Sequence, residues 1–153
     1  YITEEVKDSL QQTELDLNYS PESHREGLAT YFRANLSEFM KDWIKQKDLD
    51  VIITTGGTGL TGRDITPEAI EEIADKHIPG FGEIFRNLSL KSVGTSAIQS
   101  RACAVLANGK YVFALPGSSG GVTDAWDQIL KFQLDINHKP CNFVELFPRL
   151  KEK

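Results

Sequence analysis

The sequence contains few cysteines and no long apolar run. Cys103 and Cys141 are the two cysteines among 153 residues, and they form neither a CxxC pair nor a Cys/His cluster. This spacing argues against a disulfide framework and a structural zinc site, so we interpret both as reduced, small apolar residues. No apolar run approaches the roughly 18 residues of a membrane-spanning helix, and no charged-then-apolar signal segment opens the chain. We therefore expect a cytoplasmic protein that contacts no membrane.

Basic charge is also scarce. The formal net charge is −5 at pH 7, which argues against an extended nucleic-acid-binding surface. An acidic chain can still bind an anionic ligand at one site through backbone amides. A chain of this length with 40% hydrophobic and 25% charged residues suits one globular domain, and we see no internal repeat or linker that would divide residues 1–153.

Helical periodicity is clearest from Pro21 to about Ile44, where apolar residues recur along one stripe. This predicts an amphipathic helix packed on a core, in preference to an aromatic stripe that binds a cofactor. A short helix is expected from Thr3 to about Leu10, whereas Leu15–Tyr19 fits either a strand or a loop. Further along, Gly80–Arg86 is typical of a tight turn entering a short helix, and Thr95–Leu106 of one or two helices.

Two apolar runs predict buried β-strands. Val51–Ile53 and Tyr111–Leu115 lack the alternation of a half-exposed strand and are rich in β-branched or aromatic residues. Each runs directly into a glycine-rich turn and then into a helix. The first helix is predicted to begin with Thr66 as its N-cap and Pro67 as its first residue, and the second spans about Val122–Leu134. Strand, glycine turn and helix thus occur twice, which predicts an α/β domain with a mainly parallel sheet.

The two glycine-rich turns are the main candidate for a binding site. In an open parallel sheet, ligands bind at the carboxyl ends of the strands, and both turns follow such ends. Glycines allow close approach of a ligand to the backbone, and backbone N–H groups can bind phosphate or carboxylate oxygens. We therefore predict an anion-binding crevice; the alternative is that the glycines only turn the chain sharply. Its candidate residues are Thr54, Thr55, Gly56, Gly57, Thr58, Gly59, Pro116, Gly117, Ser118 and Ser119.

Common nucleotide-binding motifs do not explain the first turn. Gly57–Gly62 fits the G-x-G-x-x-G pattern, but a dinucleotide-binding helix opens within that motif, whereas here it is predicted to wait until Thr66. Glu83 lies near the distance expected for a ribose-binding acidic residue, yet it follows Gly80–Gly82 rather than an apolar strand. The turn is not a Walker A loop either, because no Gly-Lys-Ser/Thr follows it. We interpret the match as chance.

Asp64 has two interpretations. Two residues before the predicted N-cap, its carboxylate would interact favourably with the helix dipole by a few tenths of a kcal/mol to about 1 kcal/mol, or would pair with Arg63. In a phosphate-binding crevice it would instead hold Mg²⁺, directly or through water, because a carboxylate near phosphates is repulsive unless a cation lies between them. Spacing alone does not choose between the two. Glu83 and Arg86, one helical turn apart, fit a surface ion pair.

Six short segments form a pattern that extends beyond the turns: Thr54–Gly59, Arg63–Glu68, Gly80–Arg86, Thr95–Ala102, Leu115–Ser118 and Lys139–Phe143. In this order they resemble the molybdopterin-binding family of molybdenum cofactor biosynthesis over about Leu36–Leu150, and the Pro-Cys-Asn-Phe ending is most similar to its B-type proteins. The resemblance implies a three-layer α/β sandwich, assembly as homotrimers or homohexamers, and contact with other proteins of cofactor biosynthesis. It also implies Mg²⁺- and ATP-dependent adenylylation of molybdopterin.

Carried across position by position, the resemblance assigns roles to the turn residues. Gly56–Gly59, together with Thr55, would line the nucleotide and phosphate site, and Asp64 would lie beside the reacting phosphates and bind Mg²⁺. Pro116, Gly117 and Ser118 would form the second wall, towards the pterin, and Ser119 beside them is a further candidate binding residue. Glu83 and Ser100 are further candidates within matching motifs. The implied reaction transfers AMP from ATP to the terminal phosphate of molybdopterin and releases pyrophosphate, without a covalent enzyme nucleophile.

Departures from the family pattern leave two alternatives. The family opens with a strand, a Ser-Asp turn and an Asp-x-Ser-Gly segment whose aspartate helps to organise the metal, and no such segment precedes Thr3. Ser119-Gly120-Gly121 also replaces the proline-containing continuation seen in relatives. The first alternative is therefore a non-catalytic molybdopterin binder or carrier. The second is an unrelated dinucleotide-dependent oxidoreductase, for which the acidic ribose-binding residue lacks its usual context.

Overall fold

The computed structural model describes residues 21–152, and their side chains from residue 30 onward. The segments predicted as a helix over Thr3–Leu10 and as a strand or loop over Leu15–Tyr19 lie outside the described residues. The elements, in chain order, are α1 Pro21–Lys45, β1 Val51–Thr55, α2 Thr66–Glu71, β2 Lys76–His77, α3 Pro79–Val93, a 3₁₀ helix Gly94–Gln99, β3 Cys103–Ala107, β4 Lys110–Leu115, α4 Ser119–Ala125 and a 3₁₀ helix Val144–Arg149. After α4 the chain continues as a π-helical stretch, Trp126–Leu130, and a last helical turn, Lys131–Gln133.

The four described strands form one sheet in the order β1-β4-β3-β2. β1 and β4 are parallel, with Val51 opposite Tyr111 and Thr55 opposite Leu115. β3 runs antiparallel to both of its neighbours. The α/β class is therefore confirmed, but within residues 21–152 the sheet is mixed, and the expectation of a mainly parallel sheet is wrong there. The reason is the short connection between β3 and β4, since two residues can join antiparallel strands but not parallel ones.

β3 replaces part of a predicted helix. The helix expected over Thr95–Leu106 is a 3₁₀ helix that ends at Gln99, followed by the strand Cys103–Ala107. A short apolar run such as this fits a buried strand and a buried helical segment equally well. The signal that separates them is Asn108-Gly109, whose φ angles are both positive, at 49° and 73°. Asn-Gly between two apolar runs is typical of a β-hairpin turn.

Helices cover both faces of the sheet, which confirms the three-layer arrangement. Successive residues of β4 point to opposite faces, so Tyr111, Phe113 and Leu115 pack with α3 and α4, while Val112 and Ala114 pack with α1 and α2. All six residues of β4 are buried, which confirms the burial predicted for Tyr111–Leu115 and adds Lys110. The largest apolar cluster therefore lies on the α3 and α4 face and includes Phe81, Phe85 and Leu130.

The long helix α1 confirms the helical prediction but packs only part of its apolar stripe. Met40 is fully buried, and Leu36 and Ile44 pack beside it against the sheet. Phe32, Phe39 and Trp43 remain substantially exposed. No helix in the described part of the chain is both long enough and apolar enough to cross a membrane.

Candidate functional site

The first glycine turn leaves β1 with a backbone that side chains would disfavour. Gly56 and Gly57 have φ angles of 95° and 66°, a region that glycine adopts readily and other residues rarely do. The amide of Gly56 donates to the carbonyl of Leu115 at 2.9 Å, which extends the β1–β4 pairing into the turn. A Cβ on Gly57 would lie 2.5 Å from Oγ1 of Thr66, so side-chain space is also closed there.

The second glycine turn lies directly against the first. A Cβ on Gly117 would come 3.3 Å from the Cα of Gly56, and Oγ1 of Thr55 donates to the carbonyl of Pro116 at 2.9 Å. The turns meet because β1 and β4 are adjacent and parallel, so that their carboxyl ends share one edge of the sheet. Ser118 caps α4, since its hydroxyl accepts from the amide of Gly121 at 3.3 Å, and Ser119 is the first residue of that helix.

Thr66 has a different role from the predicted N-cap. The N-cap position of α2 is Ile65, which makes no side-chain cap, and Pro67 lies in the first turn as expected. The hydroxyl of Thr66 donates to the carbonyl of Gly56 at 2.8 Å, and its amide donates to the carbonyl of Gly57 at 3.0 Å. Thr66 therefore closes the base of the loop that runs from the first glycine turn to α2.

Asp64 lies in that loop and forms a small local unit with Thr61. Its Oδ2 accepts from the amide of Thr61 at 2.9 Å and from the hydroxyl at 2.6 Å, while its own amide donates to the carbonyl of Thr61 at 2.9 Å. The hydroxyl of Thr61, helped by the amides of Thr61 and Gly59 and by the charge of Arg101, lowers the pKa of Asp64 below its ordinary value. Asp64 is therefore ionised at neutral pH.

Arg101, which the sequence analysis did not single out, lies beside Asp64. Its Nε donates to the carbonyl of Gly59 at 2.6 Å, one terminal nitrogen donates to the carbonyl of Asp64, and the other forms an ion pair with Glu68. The hydrogen bond from Arg101 is the main reason that the pKa of Glu68 is lowered. These partners are 33 to 42 residues away in the chain, so no short motif could reveal them.

A cleft of about 360 Å³ opens beside this loop, on the side that faces α1. It contains Asp64 and Arg101 but none of the predicted residues Thr55–Gly59 or Pro116–Ser119, so the predicted site residues divide between this cleft and the glycine turns next to it. Its lining residues are Thr30, Arg33, Leu60, Thr61, Gly62, Asp64, Ile65, Glu68 and Arg101.

Two further candidates lie elsewhere. Glu83 is exposed on α3. It does not pair with Arg86, because Nη1 of Arg86 donates to the carbonyls of Ala102 and Ser100, at 3.2 and 3.4 Å. Ser100 is half-buried, and its hydroxyl accepts from the amide of Ala102 at 3.3 Å. The predicted surface pair of Glu83 with Arg86 is therefore wrong, and a role for Glu83 or Ser100 in the site stays a prediction.

The protein groups near Asp64 could bind a metal ion only if a bound molecule, such as a phosphate-containing substrate, supplied further oxygen atoms. Within residues 30–152, whose side chains the structure describes, no three or more His, Cys, Asp or Glu side chains are grouped so as to hold a metal ion. Mg²⁺ commonly binds through one or two carboxylates together with water and substrate phosphates, so a single ionised carboxylate beside a phosphate site fits this ion. Mg²⁺ binding by Asp64 stays a prediction.

Comparison with known proteins identifies the family. A family model described as a probable molybdopterin binding domain matches residues 33–135. Molybdenum cofactor biosynthesis protein B of Escherichia coli strain K12 is 47% identical over 110 residues, which are 72% of this chain and 63% of that protein. The protein of the same name from Staphylococcus aureus strain Mu50 is 48% identical over 97 residues, which are 63% of this chain and 57% of that protein. The chain thus spans less than two thirds of the length of these curated relatives.

Solved structures agree with this result. A crystal structure of molybdenum cofactor biosynthesis protein B superposes with a TM-score of 0.68 at 35% identity, covering 79% of this chain and 70% of that one. The molybdopterin biosynthesis enzyme MoaB of Thermus thermophilus gives a TM-score of 0.58 at 33% identity, covering 65% of this chain and 62% of that one. Because the family model covers more than half of its residues, the chain belongs to the family of probable molybdopterin-binding domains.

Proposed function

We propose that this protein acts in molybdenum cofactor biosynthesis, where it binds molybdopterin and transfers AMP from ATP to the terminal phosphate of the pterin. The observation that carries the proposal is the contact between the two glycine turns, with Gly117 packed on Gly56 and the ionised Asp64 on the next loop. Family membership and the named relatives support the part of the proposal that concerns molybdopterin binding and molybdenum cofactor biosynthesis. In the reaction, a phosphate oxygen of molybdopterin attacks the α-phosphorus of ATP, a new P–O bond forms, and the bond to the leaving pyrophosphate breaks.

The glycine turns would hold the phosphates through the backbone. Gly56 uses its amide in the sheet, whereas the amide of the half-buried Gly57 donates to no protein acceptor among the described residues and would be the first donor for a ligand. Backbone donors at a strand end, unobstructed by side chains, suit phosphate oxygens. Fixed donors of this kind accelerate a phosphoryl transfer by positioning the groups and by stabilising charge that develops in the transition state.

Asp64 would orient the metal. Thr61 and Gly59 fix its carboxylate, and its lowered pKa keeps it charged. A bound Mg²⁺ would neutralise the negative charge that builds up as pyrophosphate leaves. Asp64 needs no proton-transfer role in this scheme, because the attacking phosphate oxygen is already an anion at neutral pH.

A second candidate function is a non-catalytic binder or carrier of molybdopterin. The observation that favours it is the state of Glu68, the other carboxylate of the cleft, which is paired with Arg101. Because Glu68 is occupied by Arg101, Asp64 is the carboxylate of the described cleft that remains available to a metal ion. A dinucleotide-dependent oxidoreductase gains no support, because α2 begins at Thr66, after the glycine pattern has ended.

Pyrophosphate release separates the two candidates. The purified chain is mixed with molybdopterin and Mg-ATP, pyrophosphate is measured with time, and molybdopterin binding is measured separately by calorimetry. The adenylyltransferase proposal expects release that requires all three components. Binding of molybdopterin with no release, from the chain and from a version carrying any residues that precede Tyr1 in the gene product, would establish the carrier function instead.

A further inference from the structure

A single side chain connects the separate parts of the Asp64 loop. Arg101 contacts the carbonyl of Gly59 at the start of the loop, the carbonyl of Asp64 near its end, and the carboxylate of Glu68 in α2. The amide of Arg101 also donates to the carbonyl of Thr58 at 2.8 Å. Planar guanidinium groups suit this task because they present several donors in a fixed fork.

The loop has little else to hold its shape. Residues 60–63 are exposed, and Leu60 is 68% exposed. Thr66 closes the base at Gly56 and Gly57, while the hydrogen bonds of Asp64 with Thr61 are internal to the loop. Among the described residues, Arg101 is therefore the side chain that ties both ends of the exposed segment, at Gly59 and at Asp64, to the rest of the domain.

Arg101 itself is held from the other side of the sheet. Arg86 of α3 donates to the carbonyls of Ser100 and Ala102, the residues that flank Arg101. Gly82 makes this approach possible, because a Cβ there would lie 2.6 Å from the carbonyl oxygen of Ala102 and 2.9 Å from Nη1 of Arg86. A chain of contacts thus runs from α3 through Arg86 and Arg101 to the loop that carries Asp64.

We propose that Arg101 is a positioning residue that sets the distance between Asp64 and the first glycine turn, and that it acts through the loop rather than on the substrate. This inference rests on the proposed function for its effect on rate, but the positioning itself is a property of the folded chain. The three groups that the guanidinium contacts are protein atoms, two of them carbonyls of the loop. Lysine in its place keeps the charge but supplies a compact ammonium instead of the fork.

The test compares Arg101→Lys with Arg149→Lys, the same change at an exposed arginine near the other end of the chain. Amide hydrogen exchange is the first readout. Arg101→Lys should speed exchange of the hydrogen-bonded loop amides, those of Thr61 and Asp64, by at least roughly tenfold, with the amides of β4 unchanged, because local opening is separate from global unfolding. Arg149→Lys should leave the loop amides and the β4 amides unchanged. Unaltered exchange at both Thr61 and Asp64 would overturn the proposal, whether or not the protein is an enzyme.

Steady-state kinetics form the second readout. A mispositioned Asp64 should lower kcat for pyrophosphate release by at least roughly tenfold, while KM for ATP stays within about threefold. A raised KM with an unchanged kcat would show that Arg101 binds ATP directly and would overturn the proposal. A wild-type chain that releases no pyrophosphate would refute the enzymatic function alone, since the exchange experiment still decides the positioning role.

Glu68→Gln provides a second variant if Arg101→Lys does not fold. It removes the charge that pairs with the guanidinium and leaves the two loop carbonyls in place. The same amides, those of Thr61 and Asp64, should then exchange faster by about threefold or more, again without a change in β4. Equal protection of the loop in Glu68→Gln and the wild type would overturn the proposal.

Discussion

Gly117 packs on Gly56, so closely that a Cβ on Gly117 would lie 3.3 Å from the Cα of its partner. The contact joins two turns that are 61 residues apart in the sequence, and the hydrogen bond from Thr55 to Pro116 runs beside it. Because each turn follows one of two adjacent parallel strands, a side chain added at the contact would change the spacing of both walls of the crevice. The importance of each glycine in the two turns can therefore be tested by single substitutions.

Gly117→Ala should weaken the binding of both ATP and molybdopterin, by at least roughly fivefold each, because the new methyl group pushes the two turns apart. Isothermal calorimetry with each ligand checks this. Gly120→Ala is the matched control, since an added Cβ there meets no atom within 4 Å. Equal affinities in the two variants would refute the idea that the crevice spans both turns.

Gly57→Ala should lower the free energy of unfolding by about 1–3 kcal/mol, because alanine is strained at the positive φ of this position. ATP affinity should fall at least roughly tenfold, since the added methyl group also meets the hydroxyl of Thr66 at the closed base of the loop. Chemical denaturation and calorimetry measure the two effects. Gly80→Ala is the control for the replacement of a glycine by alanine, because an added Cβ at that position meets no atom within 4 Å. A folded Gly57→Ala variant with unchanged ATP affinity would remove this turn from the nucleotide site.

Asp64→Asn should reduce pyrophosphate release at least roughly a hundredfold, which corresponds to about 2.7 kcal/mol of transition-state stabilisation. The change keeps the size of the side chain and removes its charge, so molybdopterin affinity and melting temperature should change little. Asp42→Asn, on the exposed face of α1, is the control. A variant that loses stability but keeps its rate would mean that Asp64 serves only the loop and the helix start.

The ion pair of Glu68 with Arg101 should make stability depend on pH. Folding lowers the pKa of Glu68 from its ordinary value of 4.5, so the ionised form is the one that the folded state favours. The stabilisation is therefore complete above about pH 5 and is lost as the pH falls through the lower folded-state pKa. Urea unfolding of the wild type and of Glu68→Gln should show a stability difference near pH 6 that shrinks towards pH 3. For Glu38→Gln, at an exposed pair with Lys41, the difference should be small at every pH. A difference between the wild type and Glu68→Gln that grows towards pH 3 would contradict the assignment.

The chain should assemble into trimers or hexamers. The family resemblance implies this assembly, and Ile84, Val93, Ile98 and Leu146 leave large apolar side chains exposed to solvent. Light scattering at micromolar concentration should give a mass three or six times 17.1 kDa. Ile84→Asp should lower that mass, whereas Lys91→Asp on the same helix should not. A wild-type mass near that of one chain would contradict the prediction.

Sequence patterns predicted the positions of the two glycine turns, because strand ends and glycines define them; that these turns bind a ligand stays a prediction. The apolar runs at β1 and β4, each followed by glycines, were sufficient to place two turns at one sheet edge. The expected burial is confirmed for β4 and wrong for β1, where Ile52 is the buried residue and Ile53 is exposed. The role of Arg101 could not be predicted from the sequence, because two of its partners are backbone carbonyls that are distant in the chain. Every residue has a carbonyl, so the sequence does not mark which ones an arginine will contact. The role of Thr66 was mispredicted for a related reason. A hydroxyl at a helix start can cap the helix or form a hydrogen bond with a neighbouring turn, and only the tertiary structure shows which it does. β3 was missed because five apolar residues carry no periodicity to distinguish helix from strand.

The pairing of β1 with β4 also governs when the crevice can exist during synthesis. β3 and β4 are joined by two residues and can pair as soon as both have left the ribosome, but Thr55 must wait for Pro116, 61 residues later. At typical rates of translation this delay is about 3–12 s. Throughout that time the first glycine turn lacks its contact with the second turn, so a nascent chain cannot bind a ligand in the proposed crevice, and such binding cannot assist the early steps of folding.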